Sequence, residues 1–204
     1  MFDARLRPLI DPPLNAAGQW LARIGVGANA VTLTGIAVGL AAGAAIAQSC
    51  FLLGLVLIAV NRLLDGLDGA VARATRLSDF GGFLDIVGDF VFYVAVPVGF
   101  GLASPHNLLA ALLLVGSFAL TGISFLAFAI IAGKRGLVTS AHGQKSFFYN
   151  TGLAEGAETI AVFIAMTLLP SSFAVIALGY SGLCALTVLQ RTLMAWRTFG
   201  GGDA

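Results

Sequence analysis

A chain of 204 residues that is 58% hydrophobic and only 10% charged, with a mean hydropathy of +0.95, lacks the polar surface of a water-soluble domain and has the composition of a protein that lives in a bilayer. Its 11 Lys and Arg against 10 Asp and Glu leave a formal charge of +1, which excludes a polybasic nucleic-acid binder and an acidic disordered tail. Cys50 and Cys184 stand far apart without a CxxC spacing, so neither a disulfide framework nor a zinc site is expected.

The first segment, residues 1–28, carries Asp3, Arg5, Arg7, Asp11, Pro12, Pro13 and Arg23 and has no unbroken apolar core before a small-residue cleavage site. It reads as mature protein rather than a leader. Leu6, Leu9, Ile10, Leu14, Trp20, Leu21 and Ile24 alternate with those charges, the pattern of an amphipathic helix lying in the membrane interface. Beyond it, windows at 30–48, 51–74, 80–104, 107–132, 151–169 and 172–196 each approach the about 20 apolar residues that a span requires. Turn-forming residues separate them, at Gln48 to Cys50, Thr75 to Asp79, Ser104 to Asn107, the polar segment Gly133 to Asn150, and Pro170 to Ser172. No repeat, low-complexity tract or long linker divides the chain. The expected fold is all-α: a polytopic membrane protein with six transmembrane helices in one bundle over 29–198, preceded by the interfacial helix and followed by a short tail, 199–204. Frequent Gly and Ala within the spans allow helices to approach closely, which matters in lipid because packing drives association there.

Orientation follows from the basic residues. With both termini cytoplasmic, Arg5, Arg7, Arg23, Arg62, Arg73, Arg76, Lys134, Arg135, Lys145, Arg191 and Arg197, all 11 of them, fall on the cytoplasmic side, as positive-inside topology requires. An odd number of spans loses that asymmetry.

Half of the ten acids, Asp65, Asp68, Asp79, Asp85 and Asp89, crowd into one stretch at the ends of two predicted spans. A carboxylate at membrane depth is costly unless paired, hydrated or metal-bound, so its default reading is functional. Asp65 and Asp68 are spaced i, i+3, and Asp85 and Asp89 i, i+4, so each pair shares a helix face and two helices can present four carboxylates to one point. Oxygen donors without His or Cys suit Mg2+ or Mn2+ better than zinc. Gly66, Gly69, Ala72, Gly81 and Gly82 leave room for a ligand, and Arg73 has the fork geometry to hold its phosphate.

In order, the stretch reads Asp65-x-x-Asp68-Gly69-x-x-Ala72-Arg73, seven residues, then Gly81-x-x-x-Asp85-x-x-x-Asp89. This resembles the signature of the CDP-alcohol phosphatidyltransferases, integral-membrane enzymes of phospholipid head-group synthesis. The resemblance covers the whole chain, because that family has six spans after an N-terminal interfacial helix. It implies that Asp65, Asp68, Asp85 and Asp89 hold two divalent ions, with Asp89 also the general base for the acceptor hydroxyl. It implies that Gly69, Arg73 and Ser78 contact the cytidine diphosphate, together with Asn29 and Thr32, which match the family's Asn-x-x-Thr element. It also implies homodimers. Ala28 stands where relatives often have Pro, and Asp85-Ile86-Val87-Gly88-Asp89-Phe90 does not match the Pro- or Lys-containing versions of the phosphatidylglycerophosphate synthases, nor clearly the phosphatidylserine or phosphatidylinositol-phosphate types, so the motif does not name the acceptor.

The expected reaction is transfer of a phosphatidyl group from CDP-diacylglycerol to a small polar alcohol with release of CMP, in a bacterial inner membrane with the active site facing the cytoplasm. Two divalent ions align donor and acceptor in such chemistry. The in-class alternative donates a CDP-linked head group to diacylglycerol. Rivals are a cation- or proton-coupled transporter and a non-catalytic membrane scaffold. Lys134, Arg135, Lys145 and Arg191 are the acceptor-binding candidates, set against positive-inside topology as the bland explanation. Glu155 and Glu158 either shape the acceptor pocket or pair with Arg62, Arg191 or Lys145. His142 belongs to the same basic loop, His106 to the opposite turn, and Phe147, Phe148 and Tyr149 read as interface anchors.

Overall fold

The computed structural model describes residues 3–136 and 156–200, with side chains from Asp11 onward. These form α1 (Asp3–Arg23), α2 (Ala28–Ala47), α3 (Phe51–Ala74), α4 (Asp79–Ala103), α5 (Leu108–Lys134), α6 (Gly156–Leu168) and α7 (Phe173–Phe199), with single 3-10 turns at Pro105–Asn107 and Pro170–Ser172, and no strand among the described residues. A helix lies in each of the six windows, α6 covering only part of 151–169. The window at 151–169 begins outside the described residues, as do the acceptor candidate Lys145, together with Glu155, His142, Phe147, Phe148, Tyr149 and the tail from 201.

Four helical stretches are long and apolar enough to cross a membrane: Ala28–Ala47, Asp79–Ala103, Pro105–Lys134 and Pro170–Phe199. The protein is therefore an integral membrane protein. α3 has the length, but Arg62, Asp65, Asp68 and Arg73 break its apolar run, and α6 has only 13 described residues. The long N-terminal helix continues through Pro12 and Pro13 and packs on α3.

The turns are built from their own chemistry. Ser49 takes a left-handed φ of 60° and ends α2 while its N–H donates to the Ile46 carbonyl and that of Cys50 to Ala45, the arrangement that satisfies orphan carbonyls at a helix C-terminus. Ser78 is the N-cap of α4, its hydroxyl oxygen accepting from the Gly81 N–H at 3.0 Å.

α2 lies against both α3 and α4, and small residues set the distance. A methyl group on Gly43 would come within 2.5 Å of the Ala95 carbonyl oxygen, and one on Gly99 would strike the Gly43 carbonyl. α1 reaches α3 in the same way, with Leu14 filling the space beside Gly66 and Gly18 set against Ala70. The other half of the bundle packs around buried aromatics, with Phe100 stacked on Phe173 at 4.4 Å and Phe92 edge-on to Phe163 at 5.5 Å. In lipid such contacts supply the cohesion that water supplies elsewhere. α5 and α7 run in the same direction, since Phe118 meets Tyr180 and Phe128 meets Phe199. Short connections reverse the chain after α2, α3 and α4, so the starts of α2 and α4 and the ends of α3 and α5 share one end of the bundle.

Candidate active site

All four signature aspartates meet at that end. Asp65 and Asp68 descend from α3 and Asp85 and Asp89 from α4, and together with Thr32, Gly35, Ile36, Asn61, Arg62 and Gly88 they line one cleft of about 10 Å3, space for a single water-sized guest. Gly88 keeps α4 close enough: a methyl group there would come within 2.9 Å of Ile36 on α2.

Three of the four carboxylates are individually restrained. Asp68 is 6% exposed, and its Oδ2 accepts from the Thr32 hydroxyl at 2.7 Å. Asp89 Oδ1 accepts from Arg62 Nη1 at 2.9 Å, and Asp65 Oδ2 stands 3.5 Å from the same nitrogen. Arg62 is held from behind as well, with Nε and Nη2 donating to Asn61 Oδ1 at 2.8 and 2.6 Å and its guanidinium 4.4 Å from the centre of the Phe92 ring. Asn61, 3% exposed, donates in turn to the Gly35 carbonyl of α2 at 2.8 Å. As these side chains stand, no three acidic, His or Cys side chains among the described residues close around one ion position. Donor chemistry and charge nonetheless fit a hard divalent ion: four carboxylates against one guanidinium leave a net charge of about −3 at a membrane-embedded helix end, which calls for further cations.

A second cavity of about 180 Å3 opens beside the first and shares Thr32, Asp68 and Asp85 with it. Its other walls are Ala28, Asn29, Gly69, Ala72, Arg76, Leu77, Ser78, Gly81 and Gly82. Asn29, Thr32, Gly69 and Ser78, four of the five nucleotide candidates, thus converge on one space. Gly82 has no neighbour within 4 Å of where a methyl group would sit, and Gly69 has only the Arg73 guanidinium, at 3.2 Å. Their bareness leaves the cavity wall open for a ligand to approach the backbone.

The other candidate residues lie outside this wall. Arg73 does not line this cavity; its Nη2 donates to Asn15 Oδ1 of α1 at 3.0 Å, while Arg76 takes a place in the wall. Gly66 leaves room for Leu14 of α1 rather than for a ligand. Arg62 pairs with Asp65 and Asp89, not with a glutamate of α6. Arg191 is engaged at the α5–α7 contact, donating to the Thr121 carbonyl at 2.8 Å and lying 5.5 Å from the Phe125 ring centre. Lys134 and Arg135 are exposed at the end of α5, with Arg135 over the Phe199 ring.

Comparison with known families decides the class, for the model of the CDP-alcohol phosphatidyltransferases matches residues 26–198. The chain belongs to that family. It is 44% identical to the inner membrane protein YnjF of Escherichia coli over 97% of both chains. It is 30% identical to the archaetidylinositol phosphate synthase of Methanothermobacter thermautotrophicus, over 96% of this chain and 93% of the relative. Crystal structures of the phosphatidylinositol phosphate synthase of Mycobacterium tuberculosis share the fold. One has CDP-DAG bound, with a TM-score of 0.73, 18% identity, and coverage of 90% of this chain and 93% of that one. The other, in complex with manganese and citrate, has a TM-score of 0.71, 21% identity, and coverage of 90% and 88%. The chain is therefore an enzyme of CDP-alcohol phosphatidyl transfer, with its signature aspartates gathered at one end of the bundle.

Two site residues escaped the sequence reading. Arg76 carries no signal beyond its position among small residues. Arg62 has one, a cation three residues before Asp65 inside an apolar helix, where its charge must be matched by a nearby acid.

Proposed function

We propose that this enzyme transfers the phosphatidyl group of CDP-diacylglycerol to a small polar alcohol and releases CMP, with Mg2+ or Mn2+ required. The observation that carries the reading is the sharing of Thr32, Asp68 and Asp85 between the aspartate cleft and the larger cavity, which sets a diphosphate-sized space against four carboxylates. The name of the archaeal relative favours a phosphorylated polyol acceptor, with inositol phosphate the first to test. The proposed topology has six spans, α1 in the interface and the site facing the cytoplasm, supported by the grouping of all 11 basic residues on one side.

Asp65, Asp68, Asp85 and Asp89 would hold the ions, which when bound neutralise the diphosphate and the departing CMP. Asn29, Gly69, Ser78 and Arg76 receive the nucleotide end, with the N–H groups at the start of α4 favouring its phosphates. Thr32 keeps Asp68 turned toward the shared wall. The acceptor oxygen bonds to the phosphatidyl phosphorus as the bond to the CMP oxygen breaks, and the acceptor proton passes to the Asp89 carboxylate. A lipid-tailed donor stays in the leaflet while the polar acceptor arrives from water at the same end.

The test is CMP release by purified protein in detergent with Mn2+ or Mg2+, from CDP-diacylglycerol offered with inositol phosphate, glycerol 3-phosphate, inositol or serine. Acceptor-dependent release that disappears in Asp89→Asn is the expected result. Release only from a CDP-linked head group with diacylglycerol would reverse the roles of donor and acceptor, and folded protein that neither binds CDP nor releases CMP would refute the proposal.

A further inference from the structure

Among the charged side chains of the site, Arg62 has no part in the signature, yet it is the most fully tethered. Its three nitrogens face Asn61, Asp89 and Asp65 through four contacts of 2.6–3.5 Å, and the Phe92 ring covers one face of the guanidinium. Two of the anchors, Asn61 and Phe92, are independent of the carboxylates, and Asn61 is itself fastened to the α2 backbone at Gly35. A guanidinium fixed in this way keeps its place when a further cation enters the cluster.

We propose that Arg62 is a positioning residue of the active site: it aims the Asp89 carboxylate and supplies a permanent positive charge that limits how tightly the four aspartates hold divalent ions. The inference rests on the metal-dependent reading above. Arg62 Nη1 fixes Asp89 through one oxygen, Oδ1, which sets the direction in which Oδ2 meets the acceptor hydroxyl. Its charge repels any ion bound to Asp65 or Asp89, since a unit charge a few Å from a divalent ion changes its affinity by a large factor even at a partly screened site. Lysine carries the same charge without the planar fork that holds Asn61 and Asp89 together, so charge and aim are separable.

The experiment measures Mn2+ binding to purified protein in detergent by the loss of its free EPR signal, beside steady-state CMP release, for wild type, Arg62→Gln, Arg62→Lys and Asp65→Asn. In Arg62→Gln, Mn2+ binds about tenfold more tightly or better, while kcat falls by at least about tenfold with the KM for CDP-diacylglycerol little changed. Arg62→Lys binds Mn2+ within about threefold of wild type, because the charge is kept, but shares the kcat loss. Tighter metal binding is not an effect that loosened packing produces, and the Lys variant stands as a second arm if Arg62→Gln does not fold. Wild-type uptake abolished in Asp65→Asn, with Arg62→Gln no tighter than wild type or Arg62→Lys at full kcat, would overturn the role of Arg62 and leave the metal-dependent reading intact. Wild-type protein that takes up no Mn2+ would sink that reading and this inference together.

Discussion

Replacing Thr32 by Val removes one hydroxyl from the wall between the two cavities and almost no volume. The Thr32 hydroxyl has a single proton and two acceptors in reach, Asp68 Oδ2 at 2.7 Å and the Ala28 carbonyl at 3.1 Å; the shorter contact to the charged oxygen takes it. Thr32 is 8% and Asp68 6% exposed, yet both border the two cavities, where water replaces part of the lost donor. Hydrogen bonds to charged groups contribute about 1.5–3 kcal/mol. If that energy holds Asp68 in its working direction, its loss lowers kcat/KM by about 10- to 150-fold at 1.4 kcal/mol per decade. The lower end is expected, because Asp68 borders open cavity space and an ion bound there recovers part of the orientation. Thr32→Ser keeps the donor and stays within about threefold of wild type. The assay is CMP release against CDP-diacylglycerol concentration, with Mn2+ affinity measured alongside. Thr32→Val with wild-type kcat/KM and wild-type Mn2+ affinity would refute the idea that this bond orients Asp68.

The remaining predictions concern the frame, the nucleotide cavity and the metal. Gly43→Val forces α4 away from α2, because even the first carbon of the side chain meets the Ala95 carbonyl at 2.5 Å; overpacking of this kind costs about 1–3 kcal/mol, read as a lowered Tm in detergent, and an unchanged Tm would contradict the close approach. Gly82→Leu adds a side chain where nothing lies within 4 Å, so stability holds while CDP binding falls at least about tenfold; undiminished CDP binding would remove that cavity as the nucleotide site. Chelation of divalent ions stops CMP release and added Mn2+ restores it, whereas turnover that persists in chelator would end the metal-dependent reading.

Much of this was legible in the sequence, because the two periodicities that matter are short-range. Apolar length marked the helices, and i, i+3 and i, i+4 spacing put each aspartate pair on one helix face. Asn29, Thr32, Gly69 and Ser78, named by the family resemblance rather than by spacing, line a common wall. Long side chains take their direction from partners distant in sequence. Arg73 stands one turn beyond Gly69, but its guanidinium can swing to either side of α3 and goes to Asn15 of α1, a partner 58 residues away that no local pattern reveals. Gly66 failed for a related reason: a glycine announces a close approach without saying whether the visitor is a ligand or Leu14.

The Asn61-Arg62 pair joins those two lessons. A charge inside an apolar helix demands a partner, yet a partner with two available acids on its own helix and more on the next is not chosen by spacing alone. The choice is made by Asn61, which is tied to the Gly35 carbonyl and offers one oxygen to both Nε and Nη2. That geometry turns the remaining nitrogen toward Asp89 on α4 rather than along α3, leaving Asp65 the longer contact at 3.5 Å. One arginine thereby links all three helices that carry the site, through Asn61 to α2, through its own backbone to α3 and through Asp89 to α4. The α2–α3–α4 frame can hold four like charges together before any ion arrives because one opposing charge is part of the frame.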